Sequence, residues 1–250
     1  MPSSETTTMP TTRKDNGLIH IRYLITGCGR SGTQYISDRL NAAGIACKHE
    51  EQFTVFGPKP KERGDFGESS WYAAPFLNRL PANTPVLHVV RYPADVVASF
   101  GRIGLFCGNP LVHATHGKNL YTYIKDLGFS PRRLYRRCRY VFQHRAFLKT
   151  HTNCWTYRHE AERLWWYWAE WNKLIEVNAN AARLPYLRVR LEDLDTCWPT
   201  VIEHLGISDT LIEPGPKSNK KLGYAHRAPS YTPPPDEVIK LAQRYGYNVN

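Results

Sequence analysis

Residues 19–26, Ile-His-Ile-Arg-Tyr-Leu-Ile-Thr, are a short apolar run rich in β-branched side chains, and it stops at Gly27. Such a run reads as a buried strand. Gly27-Cys28-Gly29-Arg30-Ser31-Gly32-Thr33 follows, and then Tyr35, Ile36, Leu40 and Ala43 recur at helical spacing until Gly44. A strand that passes through a glycine loop into a helix is the opening of an α/β fold with a parallel sheet. The loop also has a chemical meaning. Glycines let the backbone turn tightly and approach a ligand, and the helix start presents N–H groups and a positive dipole end to an anion.

The rest of the chain supports this architecture. Residues 45–47 read as a second strand, Pro85–Val90 as a third and Tyr186–Val189 as the last. A helix starts near Pro93, with Val96, Val97 and Phe100 apolar. Residues 158–177 carry Ala161, Leu164, Trp165, Trp168, Trp171 and Ile175 at three- and four-residue intervals, the pattern of an amphipathic helix packed into a core. Thr200–Leu205 and Glu237–Tyr245 read as short helices, and residues 214–235 as a basic loop punctuated by Pro and Gly. From Gly101 to His159 the periodicity is unclear. Apolar residues make up 42% of the chain, enough for a globular core. The expectation is a polar tail over residues 1–17 and one α/β domain over 18–250.

Three ligands compete for the loop. Gly27-x-Gly29-x-x-Gly32 matches the dinucleotide fingerprint, and Glu50 follows Gly32 by 18 residues, near where a ribose-binding acid would sit. That pattern implies an NAD(P)- or FAD-dependent oxidoreductase. A nucleoside-triphosphate loop fits poorly, because no lysine precedes the hydroxyl residue. Arg30-Ser31-Gly32-Thr33 offers a cation, two hydroxyls and a glycine at a helix mouth, an apt receptor for a compact tetrahedral anion. The formal net charge of +11 favours anionic partners without choosing among them.

A second strand supplies a second cation. Val89-Val90-Arg91-Tyr92-Pro93 leads to Ser99, eight residues after Arg91. The run Ile25-Thr26-Gly27-Cys28-Gly29-Arg30-Ser31-Gly32-Thr33-Gln34 resembles the 5′-phosphosulfate loop of sulfotransferases that use 3′-phosphoadenosine-5′-phosphosulfate (PAPS). Arg91 and Ser99 are similar to that family's 3′-phosphate segment. Lys48-His49-Glu50 resembles its Gly-His-Glu motif, with Lys48 in place of glycine. Ser70-Trp71-Tyr72-Ala73, the Trp165–Trp171 helix and Arg190-Leu191-Glu192-Asp193-Leu194 resemble further elements, and Asn219, His226 and Arg227 a late loop over the 3′-phosphate. The resemblance covers most of residues 20–230.

The resemblance implies a P-loop-like three-layer α/β fold, with a central parallel sheet flanked by helices. It implies that Gly27, Gly29, Arg30, Ser31, Gly32, Thr33, Gln34, Arg91, Ser99 and Arg227 bind PAPS and its product PAP, with no metal required. It implies in-line sulfuryl transfer to an acceptor hydroxyl or amine, on a saccharide or small molecule. Glu50 is then the base, with His49 and Glu51 as adjacent rivals, and Arg30 meets the charge of the leaving phosphate. Residues 101–157 fit no pattern of the family and are where acceptor specificity is expected.

Other features limit the choice. No stretch approaches the ~20 apolar residues of a membrane span, and the first residues have no apolar signal region. Six scattered cysteines, with no C-x-x-C pair, read as reduced thiols of a cytoplasmic protein. Ten histidines show no zinc spacing. Residues 131–140 interleave arginine with aromatics, which suits nucleic acid, an anionic glycan or a solvated face. No nucleic-acid motif accompanies them, so a basic polyanion-binding module is the non-enzyme alternative.

Overall fold

The computed structural model describes residues 17–59, 64–109, 130–207 and 232–249. Its centre is a parallel sheet of five strands: β1 (Leu24–Thr26), β2 (Cys47–His49), β5 (Gly67–Ser69), β6 (Val86–Val90) and β7 (Tyr186–Arg190). A two-stranded antiparallel pair, β3 (Phe53–Thr54) and β4 (Gly57–Pro58), lies outside it. The order across the sheet is β2-β5-β1-β6-β7. Connections from β1 therefore run toward one edge and those from β6 toward the other. The crevice above the carboxyl ends of β1 and β6 is the place where ligands settle in such sheets.

Helices cover both faces. Leu24, Val86 and Val90 face one apolar cluster, while Tyr23, Ile25, Leu87 and Val89 face a second. This is the period-two alternation of strands buried on both sides. The second cluster is closed by α1 (Thr33–Ala42), through Ile36 and Leu40, and by α5 (Trp198–His204), through Val201 and Ile202. The first is larger. It takes α2 (Pro93–Ile103), α3 (Pro131–His151), α4 (Glu160–Ala181), α6 (Asp236–Arg244) and a 3-10 segment over Trp71–Arg79. The result is the expected three-layer α/β fold.

Local chemistry explains the element ends. Pro93 opens α2, Asp95 sits in its first turn, and Gly104 at φ 67 closes it, each in the position that helix ends favour. His159 and Glu162 form a capping box at the start of α4. Trp165, Trp168 and Trp171 are all buried, so the tryptophan row is core packing and no exposed sugar platform.

Some expectations needed correction. The first strand is shorter than its apolar run: β1 begins at Leu24, although the Arg22 N–H donates to the Phe66 carbonyl and the Tyr23 carbonyl accepts from the Glu68 N–H just ahead of it. The second strand lies two residues later than expected and carries Lys48 and His49 within it. Residues 131–151, left without an assignment by the sequence, form one of the two longest described helices. Arginines crowd its apolar stripe, which dilutes the periodic signal. The basic loop at 214–235 and the late-loop residues Asn219, His226 and Arg227 lie at or beyond the edge of the described residues, all three named positions falling outside them.

Candidate active site

The glycine loop connects β1 to α1 and is tightly enclosed. A side chain at Gly27 would place its Cβ 2.3 Å from the Val89 carbonyl oxygen. Gly32 sits at φ 96, where its Cβ would also stand 2.7 Å from Leu191. Both positions require glycine, one for space and one for conformation as well. No side-chain cap bond closes the start of α1, and Gly32, Thr33 and Gln34 at that start line the crevice that the loop borders. The Gly29 N–H donates to the Tyr167 hydroxyl at 2.7 Å, which ties the loop to the aromatic core of α4.

The two expected anion anchors meet. Arg30 Nε donates to Ser99 Oγ at 2.7 Å, and Arg91 Nη1 donates to the Arg30 carbonyl at 3.2 Å. Arg91 Nη2 also pairs with Asp95 at 3.2 Å. The Arg91 loop is held from behind by the Trp168 indole, which donates to the Arg91 carbonyl, and by Glu192, which accepts from the Tyr92 N–H at 2.9 Å. Glu192 accepts a second bond from the Tyr247 hydroxyl. The Arg-x-Glu-Asp-Leu segment thus braces the β6 tip.

A cavity of about 670 Å³ opens over these strand tips. Arg30, Thr33, Gln34, Arg91 and Ser99 line it, together with Gly29 and Gly32. His49 and Glu50 line it from the end of β2. Gly27 and Ser31 stand behind the wall, with Ser31 fully buried. The Ser31 hydroxyl oxygen is buried there with no hydrogen-bond partner among the described residues.

Glu50 lies just past β2, where its N–H donates to the Ser69 carbonyl at 3.0 Å. Its carboxylate stands 3.5 Å from His49 Nε2. Lys48 turns instead to Glu51, at 3.8 Å. Among the described residues three non-glycines have positive φ: Arg30 at 71, Glu50 at 54 and Arg183 at 53. The first two are the residues expected to carry the chemistry. Backbone held in that region costs roughly 1–3 kcal/mol and persists where the surroundings enforce it.

Sequence reasoning reached only part of the far wall. Tyr72 and, from α3, Arg137, Tyr140, Val141 and His144 line the cavity opposite the glycine loop. The last four follow the spacing i, i+3, i+4, i+7, a helical stripe that was legible in principle. The His144 Nδ1 faces its own helix's Tyr140 carbonyl at 3.1 Å. A carbonyl only accepts, so Nδ1 carries the proton and Nε2 accepts from the Tyr72 hydroxyl. Burial, and then the Glu50 charge, raise the Tyr72 phenol above its ordinary range. Its hydroxyl stays protonated beside Glu50.

Glu68, on β5 and fully buried, braces the turn that carries Glu50. Its Oε1 accepts from the Gln52 N–H at 3.0 Å and the Phe53 N–H at 3.3 Å. Burial pushes its carboxyl from 4.5 up to about 7, against those bonds, which lower it. The folded protein therefore keeps a proton between those values that the unfolded chain has released. Stability from this group is full below about pH 4.5 and falls as pH rises through about 7. In Glu68→Gln this loss, about 3 kcal/mol, should vanish. Denaturant unfolding of both proteins at about pH 4 and about pH 8 checks it. An unchanged pH dependence in the variant would refute the role of Glu68.

No protein-family profile matches the chain, and no curated protein is significantly similar to it in sequence. Among the described residues, no cluster of three or more His, Cys, Asp or Glu is placed to hold a metal ion. No described helix is long and apolar enough to cross a membrane.

Proposed function

We propose that the protein is a PAPS-dependent sulfotransferase acting on a hydroxyl or amine of a saccharide or small-molecule acceptor. One observation carries this reading. Arg30 of one strand tip and Arg91 with Ser99 of another converge in a single hydrogen-bonded set, on the rim of a cavity that also holds Glu50. Two adjoining cationic tips suit a donor that carries two anions on one ribose, a 3′-phosphate and a 5′-phosphosulfate. Gly29 and Gly32 line the cavity without side chains, which suits close approach of the 5′-phosphosulfate to the loop backbone.

When bound, PAPS supplies the sulfuryl group, which passes to the acceptor oxygen or nitrogen as the bond to the 5′-phosphate breaks. The chain's own residues do the rest. Glu50 takes the acceptor proton. Arg30 and the leading amides of α1 meet the charge that builds on the leaving phosphate. Arg91 and Ser99 hold the 3′-phosphate and so fix the donor's direction.

The dinucleotide reading has an observation against it. In the dinucleotide fold the second strand lies beside the first, which brings its terminal acid to the ribose. Here β5 separates β1 from β2, so Glu50 stands two strands away, roughly 10 Å across the sheet.

Thermal unfolding with added ligands tests the choice. PAP at about a hundred times its dissociation constant should add roughly 2.7 kcal/mol of stability. NAD, FAD and a mixed oligonucleotide at equal concentration should add far less. A larger shift with NAD or with the oligonucleotide would sink the proposal.

A further inference from the structure

Helix α3 has a charge pattern that the reading above does not use. Five of its first nine residues are arginine, and no Asp or Glu occurs anywhere in Pro131–His151. These charges sit at the wrong end, because the start of a helix is the positive end of its dipole. They also repel one another: Arg132 with Arg136 at i, i+4, and Arg136 with Arg139 at i, i+3, arrangements that each weaken a helix. Arg145, further along, is used internally and donates to the Leu105 and Cys107 carbonyls. The early ones differ. Arg132, Arg136 and Arg139 are exposed, and among the described residues no carboxylate pairs with them.

The helix leads this charge into the cavity. At ~100° per residue, Arg132, Arg139 and Arg136 form a band that runs round to Tyr140 and Arg137. Tyr140 and Arg137 line the cavity that Glu50 borders. Beside the band, Tyr135 is 67% and Phe142 59% exposed. Large aromatic faces kept in water next to Arg132, Arg136 and Arg139, which have no carboxylate partner among the described residues, mark a binding surface.

We propose that this half of α3 is the docking surface for an acceptor that is itself an anionic polysaccharide. Its carboxylate or sulfate groups lie along Arg132, Arg136 and Arg139, its rings lie on the exposed aromatics, and the hydroxyl to be modified enters past Arg137 to Glu50. The proposal rests on the sulfotransferase reading for the hydroxyl's fate. Charge complementarity selects the class of acceptor, and the continuity of the band with the cavity selects an acceptor over an unrelated partner.

The test uses the full chain and a variant with Arg132→Gln, Arg136→Gln and Arg139→Gln, none of them in the catalytic set. The probes are a chondroitin sulfate oligosaccharide, an uncharged chitin oligosaccharide of equal length, and single-stranded RNA of equal charge. Calorimetry with PAP reports separately on the donor site. The sulfated glycan should bind at least about tenfold tighter than the uncharged one. The triple variant should lose about tenfold or more in that affinity, with a shallower salt dependence and unchanged PAP affinity. Lysine at all three positions should restore binding, which separates charge from folding. Equal binding of charged and uncharged glycans, an unaffected triple variant, or tighter binding of the RNA would each overturn the proposal. Failure of the parent protein to bind PAP would instead overturn the sulfotransferase reading.

Discussion

Glu50→Gln is expected to lower turnover by at least about a hundredfold while leaving PAP affinity within about twofold. General-base assistance is typically worth ~10²–10⁴ in rate, and glutamine keeps the shape without the proton affinity. The backbone should not move, because the residue's N–H is anchored on the Ser69 carbonyl and the turn beyond it on Glu68. The neighbouring His49, at 3.5 Å, is the internal control: His49→Asn should cost much less. Steady-state kinetics with calorimetry on the same preparations separates the two quantities. Normal turnover in the glutamine variant would remove Glu50 from the mechanism.

The second large effect is on donor selectivity. Arg91→Ala should weaken adenosine 3′,5′-bisphosphate by about ten- to hundredfold, the value of one or two hydrogen bonds to a charged group. Adenosine 5′-phosphate should lose less. It will lose something, since Arg91 also holds the Arg30 carbonyl and so steadies the glycine loop. The informative quantity is therefore the ratio of the two losses, read by calorimetry. Equal losses for the two nucleotides would refute the assignment of Arg91 to the 3′-phosphate.

The sequence carried the near wall of the site and only part of the far one. Gly27, Gly29 and Gly32 were legible because backbone demands at a strand–helix turn leave few substitutes. Arg91 and Ser99 were legible as a spacing, but not the contact of Ser99 with Arg30, which depends on β1 and β6 being neighbours. Sheet order is a tertiary fact: nothing local says that β5 lies between β1 and β2. Tyr72 was visible as part of a motif and carried no role until α3 placed His144 against it. The α3 stripe at 137, 140, 141 and 144 was hidden because arginine, tyrosine and histidine do not score as a hydrophobic face, although their long stems and rings pack as one.

The backbone at Arg30 and Glu50 has a practical consequence for anyone improving this protein. Both residues occupy the left-handed region, where glycine rests without strain. A library screened only for heat resistance should therefore enrich glycine at 30 and 50, delivering tougher proteins without the proposed cation and base. Selection on robustness and selection on turnover would pull these two codons in opposite directions.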